Sequence, residues 1–532
     1  MTAADPVSGN NLWRGFVLGL GAKFHPSGIV LVPMQHSIKP ALPVRFCRPL
    51  AVVLACLCIL EGQEAGAALP APVADELAKV NIPEESVAVW VRRIGGNAPE
   101  VAHNVDRAMN PASVMKLVTT FAAFDVLGPT HTWKTRVFAD QAPVDGILDG
   151  NLYLVGEGDP ALTLERLWRL LRGLRQKGVT EIQGNVVMDR SAWRLPPYDA
   201  WAFDGKGTRP YNIGPDPLMI NFAALRLRFV PTAAGGPPRL TADPPLDGVA
   251  VVSALTPAAG GCGEWDDRLD VELIQPGNRP VIRVGGEWRD ECGEREWYVA
   301  PMPPDEYSRA AVAGMWKELG GRLTGRIFDG VTPAEAVPLA MDRSPTLAEI
   351  ARDMNKWSNN VQARLLMATL GTGAGGVPDS VTAGARVLTE RLAAAGVDTG
   401  GLVIENGAGL SRIETISARA IGQMLDVAFA RPWMPEFVAS LAVAGFDGTA
   451  RHRLGASPAR GHAHVKTGSI NGAKAIAGYV LDRNGVRHVV AMLVNDPSAW
   501  ASRAAQDALL EWVWFGAGDA VAGSAQVAGR VQ

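Results

Sequence analysis

Residues 110–120 read NPASVMKLVTT and place a lysine three positions after a serine, just before an apolar helical pattern. Residues three apart in a helix share a face, so the Ser113 hydroxyl and the Lys116 amine can approach hydrogen-bonding distance. If burial and neighbouring cations lower the pKa of Lys116, its neutral amine can take a proton from the serine. This spacing alone is common on helix surfaces, and its meaning depends on the rest of the chain.

Two further short motifs follow in a fixed order. Ser358 and Asn360 belong to an SNN tripeptide at a predicted loop-to-helix junction, where a hydroxyl can relay a proton and an amide can hold a carbonyl. Lys466, Thr467 and Gly468 lie on a predicted strand ahead of a hairpin. The strand backbone can pair with an extended peptide, while the lysine and the threonine bind a carboxylate.

The order of the three motifs decides the interpretation. Each is weak alone, but together, each in its expected element, they are typical of the penicilloyl-serine transferases. We therefore predict that Ser113 is a nucleophile and that Lys116 is its general base, with Ser358, Asn360 and Lys466 completing the catalytic group.

The chain resembles the low-molecular-mass class C penicillin-binding proteins, the D-alanyl-D-alanine carboxypeptidase/endopeptidase family. The stretches that carry the resemblance span roughly residues 75 to 500 and are NPASVMKLVTTFAAFDVLG, LYLVGEGDPAL, YNIGPDPLMINF, MNKWSNNVQARLL, ENGAGLSR, LAVAGFDGT and HVKTGSINGAKAIAGYV. The 245 positions between Ser113 and Ser358 agree with it, since the family carries a large insertion between its first two motifs.

The resemblance implies an α/β fold and a reaction. The fold is a penicillin-recognising serine transferase domain, an antiparallel sheet flanked by helices, split by a large insertion that carries two smaller domains, one of them mainly β. The serine would be acylated by the penultimate D-Ala of a peptidoglycan stem peptide, with release of the terminal D-Ala, and water would then hydrolyse the acyl-enzyme. At a cross-link the same chemistry is endopeptidase cleavage. β-Lactams would acylate the same serine, and no cofactor is implied.

The resemblance also assigns supporting roles. Backbone N–H groups of Ser113 and Ser469 would form an oxyanion hole, worth on the order of 3 kcal/mol per donor. Lys356 matches the family pattern KxSNN and would help to tune Lys116.

Recognition of a diaminopimelate side chain is assigned to a separate set of residues. Arg412, in GLSR, would meet its carboxylate, and Asn471 would face the cleft. An acidic residue of the insertion would meet the side-chain amine; Asp204 is the first candidate, and Asp199 and Asp216 are alternatives.

The resemblance, together with the pattern of the sequence, implies six segments. We expect an extension at residues 1–33, a signal peptide at 34–67, and a transpeptidase-like catalytic domain in two pieces, 68–132 and 341–516. An inserted α/β domain would cover 133–215 and 301–340, an inserted β domain would cover 216–300, and a flexible tail would cover 517–532.

The amino-terminal region predicts export. Basic residues precede the apolar run 49–60, and a small-residue site follows at 65–67, which is the signature of a secretory signal peptide rather than a membrane span. Met34 would then be the true start, and the alternative is a buried core helix. We expect an exported, periplasmic protein, and the short apolar LLEWVWF near the carboxyl end leaves peripheral contact with the inner membrane open.

Cysteine usage fits that compartment. Beyond the presumed signal only Cys262 and Cys292 remain, and an even pair in an oxidising compartment predicts a disulfide, with two free buried thiols as the alternative.

Several other partners and activities are disfavoured. The formal net charge of −3 and the 20% charged residues give no basic excess for nucleic acid. His462 and His464 alternate on a strand without a third ligand of suitable spacing, so we predict no metal site. The expected partners are stem peptides and β-lactams, and the oligomeric state is left open. Two other functions compete with the peptidase: a β-lactamase, which the large insertion disfavours, and a non-catalytic wall-binding scaffold, which the intact motifs disfavour.

Overall fold

The computed structural model describes residues 68–232, 236–276, 279–372 and 379–516. The predicted extension, signal peptide and tail lie outside these residues.

Ten helices occur in the described part of the chain. They are α1 (Ala71–Lys79), α2 (Met115–Leu127), α3 (Leu164–Gln176), α4 (Pro304–Glu318), α5 (Leu347–Trp357), α6 (Asn360–Leu370), α7 (Ser380–Ala394), α8 (Ala418–Phe429), α9 (Met434–Ser440) and α10 (Arg503–Phe515). None of these described helices has the length and apolar character needed to cross a membrane.

Twenty-two strands occur in the same ranges. They are β1 (Val87–Arg93), β2 (Val101–His103), β3 (Ala108–Met109), β4 (Lys134–Ala139), β5 (Ile147–Leu148), β6 (Leu152–Gly156), β7 (Glu181–Ile182), β8 (Val186–Asp189), β9 (Leu225–Val230), β10 (Arg239–Asp243), β11 (Ala250–Ala258), β12 (Leu269–Ile274), β13 (Val281–Arg289), β14 (Arg295–Val299), β15 (Arg322–Leu323), β16 (Ile327–Gly330), β17 (Val337–Arg343), β18 (Ile416–Ser417), β19 (Ala442–Val443), β20 (Ala463–Ile470), β21 (Ala473–Leu481) and β22 (Arg487–Asn495).

The largest sheet is antiparallel, in the order β19-β20-β21-β22-β1-β2. Strand β22 is buried at seven successive positions, from His488 to Val494, because helices cover both faces of the sheet. One face packs on α1 and α10, through residues such as Leu77 and Leu509. The other face packs on α2 and α8, through residues such as Phe121 and Ile421.

The chain leaves this sheet after β2 and returns to it only at β19, so the sheet is split in sequence, as predicted. Part of the intervening chain forms a five-stranded sheet, β16-β8-β6-β4-β17, and a small sheet, β15-β7-β5. Helix α3 contributes Leu167, Leu170, Leu171 and Leu174 to the core of this region, which is the amphipathic pattern of its sequence. The boundaries of the predicted domains stay predictions.

The region predicted to be mainly β contains two three-stranded sheets, β10-β9-β14 and β11-β13-β12. Phe229 stacks on Trp288 in its core, with ring centroids 4.9 Å apart. Cys262 and Cys292 are joined there by a disulfide, which closes a loop with a sequence separation of 30.

Candidate active site

The serine-lysine pair lies at the start of α2. A 3-10 turn, Ala112–Val114, precedes the helix and leaves Ser113 partly exposed, whereas Lys116 is completely buried one turn later. Lys116 Nζ lies 3.1 Å from Ser113 Oγ and 2.6 Å from Asn360 Oδ1. It also contacts the carbonyl oxygen of Ala408. The structure thus brings the first motif and part of the second into direct contact.

The environment of Lys116 favours its neutral form. Burial lowers its pKa well below the ordinary value, and the charges of Lys466 and Arg364 lower it further, against a smaller opposing effect of Glu414. The neutral amine, which can accept a proton, is therefore favoured over the ammonium form.

The second and third motifs also meet. Ser358 ends α5 in the left-handed conformation, with φ of 61°. A non-glycine residue there is strained by about 1–2 kcal/mol, and such strain is often concentrated at functional sites. Lys466, on β20, is completely buried and its Nζ donates to Ser358 Oγ at 3.0 Å. Burial lowers the pKa of Lys466 to about 7.

Strand β20 forms one wall of the site. A Cβ at Gly468 would lie 2.6 Å from the carbonyl oxygen of Pro111 and 2.9 Å from the nitrogen of Ser113, so glycine permits the strand to approach the nucleophile. Thr467 Oγ1 donates to Thr449 Oγ1 at 2.7 Å, and Ser469 is exposed at the rim.

On one side the serine opens into a cavity of about 350 Å³ that contains the predicted recognition residues Asp204, Arg412 and Asn471. Arg412 Nη1 donates to the carbonyl oxygen of Asn471 at 3.0 Å, and its guanidinium lies 4.4 Å from the ring centroid of Phe203. A carboxylate and a guanidinium therefore share the cavity that begins at Ser113.

The three acidic candidates differ in their surroundings. Asp204 lines this cavity; burial alone would raise its pKa, but hydrogen bonds from Asn212, Tyr211 and the backbone of Lys206 outweigh that effect and lower it. Asp199 lines other cavities, and Asp216 is buried in an ion pair with Arg190. The geometry favours Asp204, as a carboxylate anion, over both alternatives.

Lys356 has a different neighbour from the one expected. Its Nζ pairs with Asp447 Oδ2 at 2.5 Å, and the cations that lower the pKa of Lys116 are Lys466 and Arg364. The contact thus links the end of α5 to the segment before β20, and a role in tuning Lys116 finds no support in it.

Two buried charges were not anticipated. Oε1 of the completely buried Glu414 accepts hydrogen bonds from the backbone nitrogens of Glu405, Asn406 and Gly407, at 3.0, 2.8 and 2.9 Å. It thereby orders the loop whose next residue, Ala408, contacts Lys116. Its position shortly after ENGAGLSR is the only signal that the sequence offers.

The second is Arg364, in the apolar helix α6. Its Nη1 donates to the carbonyl oxygens of Tyr211 and Ile213, at 2.9 and 2.7 Å. An arginine among the apolar residues that follow SNN was the available signal, because a charge in such a pattern requires partners.

The histidine pair belongs to no cluster of metal-ligating side chains in the part of the chain that the structure describes. Among the residues that the structure describes, no group of three or more His, Cys, Asp or Glu side chains could hold a metal ion.

Comparisons with known proteins agree with the geometry. The model of the D-Ala-D-Ala carboxypeptidase 3 (S13) family matches residues 69–514. The D-alanyl-D-alanine carboxypeptidase of Actinomadura sp. (strain R39) is 32% identical over 424 residues, which cover 75% of this chain and 76% of that protein. The D-alanyl-D-alanine carboxypeptidase DacB of Haemophilus influenzae is 23% identical over 423 residues, which cover 78% of this chain and 86% of that protein.

A solved structure supports the fold. The crystal structure of penicillin binding protein 4 (dacB) from Haemophilus influenzae matches with a TM-score of 0.70 and 22% identity, over 83% of this chain and 99% of that one. The same protein complexed with a novel β-lactam matches with a TM-score of 0.65 and 22% identity, over 82% and 99%. The predicted fold class is confirmed.

Proposed function

Because the chain belongs to the D-Ala-D-Ala carboxypeptidase 3 (S13) family and is a serine-type D-Ala-D-Ala carboxypeptidase, we propose that Ser113 is its nucleophile and Lys116 the base. The supporting observation is the set of neighbours around Lys116 Nζ. A neutral amine has two N–H groups, and the oxygens of Asn360 and Ala408 can accept both. The remaining lone pair is then free to receive the proton of Ser113 Oγ, 3.1 Å away.

The reaction proceeds in two stages. Ser113 Oγ attacks the carbonyl carbon of the penultimate D-Ala while its proton passes to Lys116. The backbone N–H groups of Ser113 and Ser469 stabilise the tetrahedral oxyanion, and its collapse breaks the peptide bond to the terminal D-Ala. Water then hydrolyses the acyl-serine and restores the free enzyme.

The leaving amine needs a proton as the bond breaks. Lys466, whose pKa is about 7, contacts Ser358 Oγ at 3.0 Å and holds this hydroxyl next to the reacting serine. Ser358 relays the proton to the departing nitrogen, with Lys116 as the source. In its protonated form, the same lysine can bind the carboxylate of the terminal D-Ala.

Recognition of the acyl-donor stem peptide depends on two opposite charges in one cavity. The anionic Asp204 and the guanidinium of Arg412 complement the amine and the carboxylate of a diaminopimelate side chain, with Asn471 beside them. The partners are thus stem peptides, together with β-lactams that acylate the same serine. The Haemophilus influenzae relative forms a complex with a β-lactam, which supports this second class of partner.

The substrate also bears on location. Stem peptides lie outside the cytoplasm, which supports an exported, periplasmic enzyme, and the disulfide Cys262–Cys292 is suited to an oxidising compartment. Endopeptidase cleavage of cross-links uses the same acylation with a larger leaving group.

Fluorescent penicillin and a stem pentapeptide test the assignment together. The wild type should release D-Ala from the pentapeptide and form a long-lived adduct on the peptide that contains Ser113, as seen by mass spectrometry. Ser113→Ala should do neither while its melting temperature stays within a few degrees. An adduct on another residue would refute the nucleophile, fast turnover of the drug would favour a β-lactamase, and an inert wild type would favour the scaffold.

A further inference from the structure

A second cavity, of about 320 Å³, also opens at the nucleophile. It shares Ser113, Ser358 and Ser469 with the cavity that holds Asp204 and Arg412. Its other walls carry three cationic side chains, which belong to Arg453, Lys474 and Arg503. The proposed reaction uses none of these three cations.

Lys474 is the cation nearest to the catalytic strand in the fold. On β21 it is the direct antiparallel partner of Ser469 on β20, so the two side chains lie on the same face of the sheet. Lys474 is half-buried, and no described residue gives it a hydrogen bond or an ion pair. Burial lowers its pKa most, and the charges of Arg453 and Arg503 lower it further, against a smaller opposing effect of Asp507.

The neighbouring charges leave an excess of positive charge. Arg453 is buried and donates to Asp507 Oδ1 and to Gln506 Oε1, each at 2.6 Å. The exposed Arg503 has its Nε 3.9 Å from Asp507 Oδ2. Among the described residues, Asp507 is therefore the one carboxylate that pairs with these three cations, and the cavity should attract an anion.

The orientation of the substrate in the cleft indicates which anion would bind in the second cavity. With the acyl donor in the cavity of Asp204 and Arg412, the leaving group occupies the second cavity. A departing D-Ala carries one carboxylate, for which Lys466 and Thr467 suffice. Lys474 and Arg503 are then available for a second one.

We propose that Lys474 and Arg503 form an anion subsite that selects leaving groups with a second carboxylate, as diaminopimelate provides when it is the last residue of a cross-linked tripeptide and both of its carboxylates are free. This inference rests on the proposed function and deepens it, because it assigns a substrate class to the leaving-group side of the cleft. It makes cross-link cleavage the favoured reaction of this chain over release of single D-Ala residues.

Two synthetic peptides with the same acyl donor isolate the effect. In one, the residue after the scissile bond is D-2-aminopimelate, whose distal carboxylate mimics the reach of diaminopimelate; in the other, that carboxylate is an amide. We expect the wild type to hydrolyse the acid with a kcat/KM at least tenfold higher than the amide. The ratio should fall to within twofold of unity in K474Q/R503Q and fall partly in each single variant.

The control is Lys317→Gln, an exposed lysine on α4 that pairs with Asp247. It should keep the wild-type ratio, and added salt should lower the ratio of the wild type by screening. An acid-to-amide ratio near one in the wild type, or a ratio that the double variant leaves unchanged, would overturn the subsite.

These failures differ from a failure of the proposed function. A wild type that hydrolyses the amide, releases D-Ala from a pentapeptide and binds penicillin, but shows no acid preference, refutes the subsite alone. A wild type that does none of these refutes both.

Discussion

At the scale of single residues, the proposed mechanism depends on the protonation state of Lys116. Its ammonium form would use all three protons on Ser113, Asn360 and Ala408, and would have no site to accept another. The buried cations Lys466 and Arg364 oppose that form. These two cations therefore favour the neutral amine that the proposed base requires.

We expect the acylation rate to rise with pH. The neutral fraction of Lys116 grows as pH passes through its lowered pKa, so the second-order rate with a fluorescent penicillin should increase along an acid limb that lies well below pH 10. Since Lys466 titrates near 7 in the same cleft, the observed midpoint belongs to the coupled pair. A rate profile measured by gel fluorescence from pH 5 to 9 checks this.

Lys116→Arg is the matched variant, because it keeps a cation that does not lose its proton in this range. It should acylate several orders of magnitude more slowly than the wild type at every pH. A variant with normal rates, or a wild type with a flat profile, would contradict the assignment of the base.

The residue contacts show what could be predicted from the sequence. Ser113 and Lys116 are three apart, so helical geometry alone predicts their proximity. The contact of Lys116 with Ala408 spans 292 positions and uses a backbone carbonyl, which no side-chain motif encodes. Glu414, which orders that loop through backbone nitrogens, escaped prediction for the same reason.

At the scale of elements, the close approach of β20 to the turn before α2 sets the separation of the backbone N–H groups that we propose as the oxyanion hole. Strand and turn are brought together by Gly468, which has the carbonyl oxygen of Pro111 and the nitrogen of Ser113 as neighbours. Strand β20, which forms a hairpin with β21, was predictable from the sequence, whereas the predicted DRNG turn belongs to the next hairpin, between β21 and β22. The separation between β20 and the turn before α2 depends on packing and was not predictable.

Gly468→Ala should separate these two elements. The added Cβ would meet backbone atoms at 2.6 and 2.9 Å, which cannot yield as a flexible side chain would. We expect a fall of at least a hundredfold in kcat/KM for pentapeptide hydrolysis, similar to the loss of one oxyanion donor, and a smaller change in melting temperature. D-Ala release and thermal unfolding measure the two effects.

Gly472→Ala is a control for the same hairpin. No atom lies within 4 Å of a Cβ there, although its φ of +81° makes the substitution strained. It should therefore cost stability with far less loss of activity. Equal activity losses in both variants would show that the hairpin, rather than its approach to Ser113, is responsible.

At the scale of the whole molecule, the inserted region and the catalytic motifs form one site. Arg364, four residues after Asn360, donates to the carbonyl oxygens of Tyr211 and Ile213 in the insertion. Its guanidinium also lies 5.6 Å from the ring centroid of Tyr198. The fold class was implied by the family resemblance that the motifs carry, but the residues that join the insertion to the catalytic helices were not predictable, since backbone carbonyl partners leave no pattern in the sequence.

Arg364→Met should therefore affect the cleft in two ways. Loss of the positive charge raises the pKa of Lys116, so the acid limb of penicillin acylation should move to higher pH. Loss of two hydrogen bonds loosens the segment near Asp204, so hydrolysis of a diaminopimelate-containing pentapeptide should fall about tenfold more than penicillin acylation. Arg326→Met, which removes a guanidinium 5.5 Å from the Phe328 ring in the insertion, should change neither. An unshifted acid limb together with an equal loss for both substrates would mean that Arg364 only stabilises the fold.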